Sequence, residues 1–180
     1  MRITKENTSA LFIDFQERLF PAMNEKENLL KNTLILVEGL RLLGLPVAFT
    51  QQYTKGLGET IEEIRSLVPD FSAVEKIDFS CLGAEAYRTF LNQHQSKNII
   101  LCGIEAHVCV LQTAVDLKEA GFNPIVVTNC ITSRSFISKE SAIDRFRYEN
   151  IMMVTAESVL FELTRSAKAE EFRAISKLVK

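Results

Sequence analysis

Short apolar runs recur along this chain, and between them the apolar positions switch to a helical period. The runs predict strands over 9–13, 46–50, 98–101, 124–128 and 151–154. The periodic stretches predict helices over 29–43, 59–67, 84–93, 109–120, 139–148, 157–163 and 168–179. Gly44 and Pro46 punctuate the first helix, and Gly121 supplies a stop after the helix that begins near Cys109. Continuous apolar strands with no polar alternation are buried on both faces. Separated by helices, they imply an α/β fold with a parallel sheet covered on both sides. The 53–58 segment, Tyr-Thr-Lys-Gly-Leu-Gly, reads as a loop, and no linker or repeat divides the chain. At 180 residues it is expected to form one domain, 1–180.

Composition narrows the function classes. The chain is 47% hydrophobic with a net charge of −2, which gives no reason to expect a nucleic-acid or membrane-surface partner. The N-terminal stretch from Met1 to Asn7 lacks the apolar core of a secretory signal, so a cytoplasmic protein is expected. Cys81, Cys102, Cys109 and Cys130 form no C-x-x-C, which argues against a zinc ribbon or a thioredoxin-type site. His94 and His107 are too few for a histidine-rich metal centre.

In parallel α/β sheets, ligands bind outside the carboxyl ends of the strands. Asp14 follows the first strand, Thr50 and Gln51 end the second, and Gly103 to Cys109 follow a later one. A thiol opening a helix meets partial positive charge and free N–H groups, which lower its pKa. Cys109 is therefore either a nucleophile or a small buried helix-start residue. Asp14 reads as a proton shuttle or a turn aspartate. Lys76, set among apolar neighbours, reads as a charge partner for a thiolate or a surface lysine. The N–H groups of Glu105 and Cys109 are candidates for an oxyanion hole. His107 is too near Cys109 in sequence to be favoured as its base, and Arg134 reads as a contact to an acidic substrate, a subunit contact or a structural salt bridge. Phe15, Phe20, Gln51, Tyr53 and Ile104 are expected around a small pocket. There is no G-x-S-x-G elbow, phosphate loop or G-x-G-x-x-G.

Three segments together resemble the signatures of the isochorismatase-like cysteine hydrolases. They are Leu11-Phe12-Ile13-Asp14-Phe15-Gln16, Val74-Glu75-Lys76, and Gly103-Ile104-Glu105-Ala106-His107-Val108-Cys109-Val110. Leu111-Gln112-Thr113-Ala114 and Thr132-Ser133-Arg134-Ser135 resemble the isochorismatase-domain-containing branch. The resemblance implies a three-layer α/β/α sandwich around a mainly parallel, Rossmann-like sheet. It implies Cys109 as nucleophile, Asp14 as acid and base, Lys76 as their charge partner, and a cis peptide at Ile104–Glu105. It also implies a homo-oligomer, with contacts near 134–148 or 161–179. Metal-binding nicotinamidases of the family carry histidines after the second strand, whereas here Thr50 to Gly56 contains none, so no metal and no cofactor are expected. The expected activity is hydrolysis of a small amide through a Cys109 thioester. The alternatives are an isochorismate-type vinyl ether hydrolase, and a non-catalytic oligomeric binding or regulatory protein.

Overall fold

The computed structural model describes residues 2–180; Met1, where the N-terminal reading above begins, lies outside the described residues. Six strands form one sheet: β1 (Thr8–Ile13), β2 (Val47–Gln52), β3 (Val74–Lys76), β4 (Asn98–Ile104), β5 (Asn123–Thr132) and β6 (Met152–Val154). Their order is β3-β2-β1-β4-β5-β6, and every neighbouring pair is parallel. The helices are α1 (Lys26–Leu42), α2 (Thr54–Leu57), α3 (Glu62–Arg65), α4 (Glu85–His94), α5 (Leu111–Glu119), α6 (Phe136–Tyr148), α7 (Ala156–Thr164) and α8 (Phe172–Leu178).

Strand alternation sorts the core into two halves. Ala10 and Phe12 face the layer that contains Leu36, Leu40, Leu160 and Ile175 of α1, α7 and α8. Leu11 and Ile13 face Leu91, Leu117 and Phe146 of α4, α5 and α6. The result is the expected α/β/α sandwich. Each large aliphatic side chain taken out of water here contributes about 1.5–3 kcal/mol, which is why both faces of the central strands are apolar.

Spatial order reverses chain progress at β1. From there the chain runs outward to β2 and β3, then returns to lay β4 on the other side of β1. This switch point opens a crevice beyond the carboxyl ends of β1 and β4. Close approach of those strands requires Gly103, which pairs with Ile13 and has φ +140°; a Cβ there would collide with the Ile13 carbonyl. Next to it the β4–β5 register shifts, with Leu101 opposite Val126 but Gly103 opposite Ile131.

Several boundaries differ from the sequence reading. β4 and β5 run on to Ile104 and Thr132, because parallel pairing satisfies backbone groups whatever the side chains. The edge strand β3 escapes the apolar-run criterion, since Val-Glu-Lys is too short and too polar. The expected 53–58 loop contains the turn α2. Cys109 does not open its helix: a π-helical turn spans Ala106–Val110 and runs into α5. Among the described residues no helix is long and apolar enough to cross a membrane.

Candidate active site

β1 stops at Asp14 because that residue turns left-handed, with φ 54°, a conformation that aspartate tolerates better than most. Its N–H still bonds the Thr50 carbonyl at 3.2 Å, so the carboxylate is fixed at the strand end. Thr50 donates its hydroxyl to Asp14 Oδ1 at 2.7 Å. The other oxygen meets Lys76 Nζ at 2.7 Å, and both side chains are almost completely buried. Parallel register sets Lys76 opposite Gln52, whose Oε1 accepts from Nζ at 2.7 Å. The ammonium also donates to the Asp78 and Phe79 carbonyls at 3.3 and 3.2 Å, and lies 3.6 Å from Cys109 Sγ. Asp14, Lys76 and Cys109, far apart in sequence, are thus assembled around one point.

The Cys109 thiol faces a cavity of about 110 Å³ lined by Asp14, Gln52, Glu105 and Cys109 and by apolar Leu19, Leu57, Phe79, Ile104 and Val108. Of the side chains expected around the pocket, only Ile104 lines it. Phe15 is 1% exposed and packs beside Phe12 in the core, while Phe20 packs half-buried against the same cluster. Gln51 points the opposite way from Gln52, donating to Glu59 Oε2 at 2.9 Å and Thr60 Oγ1 at 3.2 Å. Tyr53 is exposed at the surface. The signal that separates the two glutamines is the period of two: Ala48, Thr50 and Gln52 share one face of β2.

The Ile104–Glu105 peptide is cis, as the resemblance implied. The buried Glu105 carboxylate accepts from the Arg134 N–H at 2.9 Å and from Arg134 Nε at 3.1 Å, so Arg134 makes a salt bridge. His107 Nδ1 pairs with Ser133 Oγ at 2.9 Å, away from the thiol. Among the described residues, no group of three or more His, Cys, Asp or Glu side chains is placed to hold a metal ion.

The electrostatics correct one expectation. Burial, and then the Asp14 carboxylate, push the Cys109 thiol up to about 12, although Lys76 pulls the other way. The sequence reading placed Cys109 at a helix start, where it would ionise easily. In the structure Cys109 is the fourth residue of its helical turn, the charge of a helix end fades within one turn, and a carboxylate stands beside the sulfur. For Lys76, burial favours the neutral amine, but the Asp14 carboxylate more than offsets it and the pKa is raised.

These shifts make stability pH-dependent. Burial raises Cys81, Cys109 and Cys130 from 9.0 to about 12 and raises Cys102 well above 9.0. Above pH 9 the unfolded chain releases thiol protons that the native state retains, so the native state loses ground. Each thiol contributes about 1.4 kcal/mol per pH unit, and four of them about 6 kcal/mol at about pH 10. Lys76, also raised, adds the same sign above its unfolded value of 10.5. Urea unfolding is expected to give constant stability from about pH 7 to 8 and a steep loss above about pH 9. A flat profile to about pH 10.5 would contradict the burial of these thiols.

Fold and site define a parallel α/β/α sandwich with a buried cysteine, carboxylate and ammonium at its switch point. The chain belongs to the isochorismatase family, whose Isochorismatase domain model matches residues 8–158. It is 36% identical over 179 residues to the secreted isochorismatase effector Isc1 of Phytophthora sojae, a match that covers 97% of this chain and 85% of that one. It superposes on the MAR1 ribonuclease of Caenorhabditis elegans with a TM-score of 0.93 at 29% identity, covering 99% and 92% of the two chains. The YcaC gene product of Escherichia coli, described as an octameric hydrolase of unknown specificity, superposes with a TM-score of 0.92 at 24% identity, covering 99% and 89%. The chain therefore has an isochorismatase-family hydrolase fold. One relative is named as secreted, so a cytoplasmic location does not follow from family membership.

Proposed function

We propose that this chain is a cysteine hydrolase that cleaves a small amide without a metal, through a thioester on Cys109. The observation that carries the reading is the contact of thiol, carboxylate and ammonium at the floor of a small cavity. A resting thiolate is opposed by burial and by ionised Asp14. Moving the thiol proton onto Asp14 as the sulfur attacks is different, because it leaves the number of negative charges in the site unchanged. Lys76, held by Asp14 and Gln52, stabilises that charge in either place. The sulfur adds to the amide carbonyl, and the oxyanion is held by the Glu105 and Cys109 N–H groups. In support, the wide helical turn sends the Val108 and Val110 N–H groups to the Glu105 carbonyl at 3.1 and 3.3 Å, bracketing a Cys109 N–H that does not bond it. Asp14 returns its proton to the leaving amine, and water cleaves the thioester to acid and free thiol.

Mass spectrometry of the protein quenched during turnover of small amides and esters is expected to find an acyl group on Cys109, with ammonia released from the amides. Cys109→Ala is expected to lose both. Absence of acylation across the panel would favour a binding or regulatory protein. Pyruvate release from isochorismate that survives Cys109→Ala would favour the vinyl ether reading. The C. elegans relative is called a ribonuclease. Here a net charge of −2 and two carboxylates on the cavity wall weigh against a polyanionic substrate. A homo-oligomer is part of the proposal, supported by the exposed Phe136, Ile137 and Tyr148 of α6 and by the octameric description of the E. coli neighbour.

A further inference from the structure

We propose that the acyl half of the substrate is a short, uncharged, aliphatic group of about two to four carbons. The inference rests on the Cys109 hydrolase reading above and concerns which carbonyl compounds reach the sulfur.

Size comes first. The cavity holds about 110 Å³. An apolar cavity of about 150 Å³ takes one benzene, so in proportion this one takes about four carbon-sized groups, the carbonyl included. An aromatic acyl group, or the ring of an isochorismate-like molecule, exceeds that space.

Polarity comes second. Leu19, Leu57, Phe79, Ile104 and Val108 arrive from five different segments and give the cavity an apolar wall. Such a wall favours an aliphatic chain and offers a charged group nothing in exchange for its water.

Charge comes third. The ionisable carboxyl groups on the wall, Asp14 and Glu105, are both acidic. The cations paired with these two carboxylates, Lys76 and Arg134, are already engaged. Lys76 donates to Asp14, Gln52 and two backbone carbonyls, and Arg134 is held on Glu105. A substrate carboxylate would enter beside two carboxylates whose own cations are already paired. A cationic acyl group would meet the Lys76 ammonium beneath an apolar wall.

Two measurements test this, and they separate it from the hydrolase reading. The first needs no turnover. Cys109 alkylation rates by neutral 2-chloroacetamide and anionic chloroacetate are compared, each divided by its rate with 2-mercaptoethanol. The normalised preference for the neutral reagent is expected to be at least about 100-fold, the scale on which a site rejects a group it cannot pair. Equal rates, or a preference for the anion, would overturn the proposal. The second follows kcat/KM by ammonia release along acetamide, propionamide, isobutyramide, pentanamide, benzamide and succinamate. Activity is expected to peak at three or four carbons and to drop about 10-fold or more with each further group. Leu57→Ala is expected to move the optimum toward pentanamide. Succinamate or benzamide as the best substrate, with Cys109 acylated, would overturn the substrate class and leave the hydrolase standing. A neutral-reagent preference without acylation by any amide would retain the cavity's selectivity and remove the hydrolase.

Discussion

Lys76→Met is expected to destabilise the protein by about 3–5 kcal/mol at neutral pH, because it leaves Asp14 as an unpaired buried charge. Asp14 is 0% exposed, and its sole cationic partner among the described residues is Lys76 at 2.7 Å. The substitution also strips a donor from Gln52 Oε1 and from the Asp78 and Phe79 carbonyls. One control separates charge from packing. Asp14→Asn combined with Lys76→Met should recover much of the loss, since removing a buried pair costs far less than breaking it. A Lys76→Met protein as stable as the parent in urea unfolding would show that the ammonium does not compensate Asp14. Turnover of any amide substrate is expected to fall about 100- to 1000-fold in the same variant, through loss of thiolate stabilisation and of Asp14 placement.

Asp14→Asn is expected to drive alkylation and turnover in opposite directions. Asp14 is the largest charge opposing ionisation of Cys109, and Lys76 remains 3.6 Å from the sulfur. Removing the carboxylate should lower the thiol pKa, so that iodoacetamide modifies Cys109 about 10-fold faster or more at neutral pH, each pKa unit giving about tenfold more thiolate. The same substitution removes the group proposed to carry the proton to the leaving amine, and the loss of a general acid–base costs about 100- to 10,000-fold in rate. Lys76→Met should slow both reactions. Parallel loss of alkylation and turnover in Asp14→Asn would mean that Asp14 activates the thiol rather than restraining it. The roles drawn in the proposed mechanism would then have to be revised.

The elements most legible in the sequence are those whose physics is local. Leu11-Phe12-Ile13 and Ile99-Ile100-Leu101 are apolar without alternation, and both prove to be central strands buried on two faces. Gly121 ends α5 within two residues of its last turn. The three segments that resemble the family signatures do meet in space, because each stands at or just beyond the carboxyl end of a strand. The features that the sequence does not show involve neighbours distant in sequence. Phe15 sits next to Asp14, yet its side chain belongs to the Phe12 and Phe49 side of the sheet. One residue along a strand reverses the face, so Gln52 lines the cavity while Gln51 turns to Glu59 and Thr60. Leu57, Phe79 and Val108 carried no signal, since each is an ordinary apolar residue until the turns that hold them fold over the thiol.

The sequence by itself determined the alternation of strand and helix, hence a parallel sheet covered on both faces, and it determined which residue types stand at the strand ends. Both follow from periodicity, which is a property of consecutive residues. Tertiary structure alone decided that β1 lies between β2 and β4, that Lys76 is buried against Asp14, and that the Cys109 thiol is raised rather than lowered in pKa. Those outcomes depend on desolvation and on Coulomb interactions at contact distance. Both are set by groups that the chain brings together only after the strands have paired.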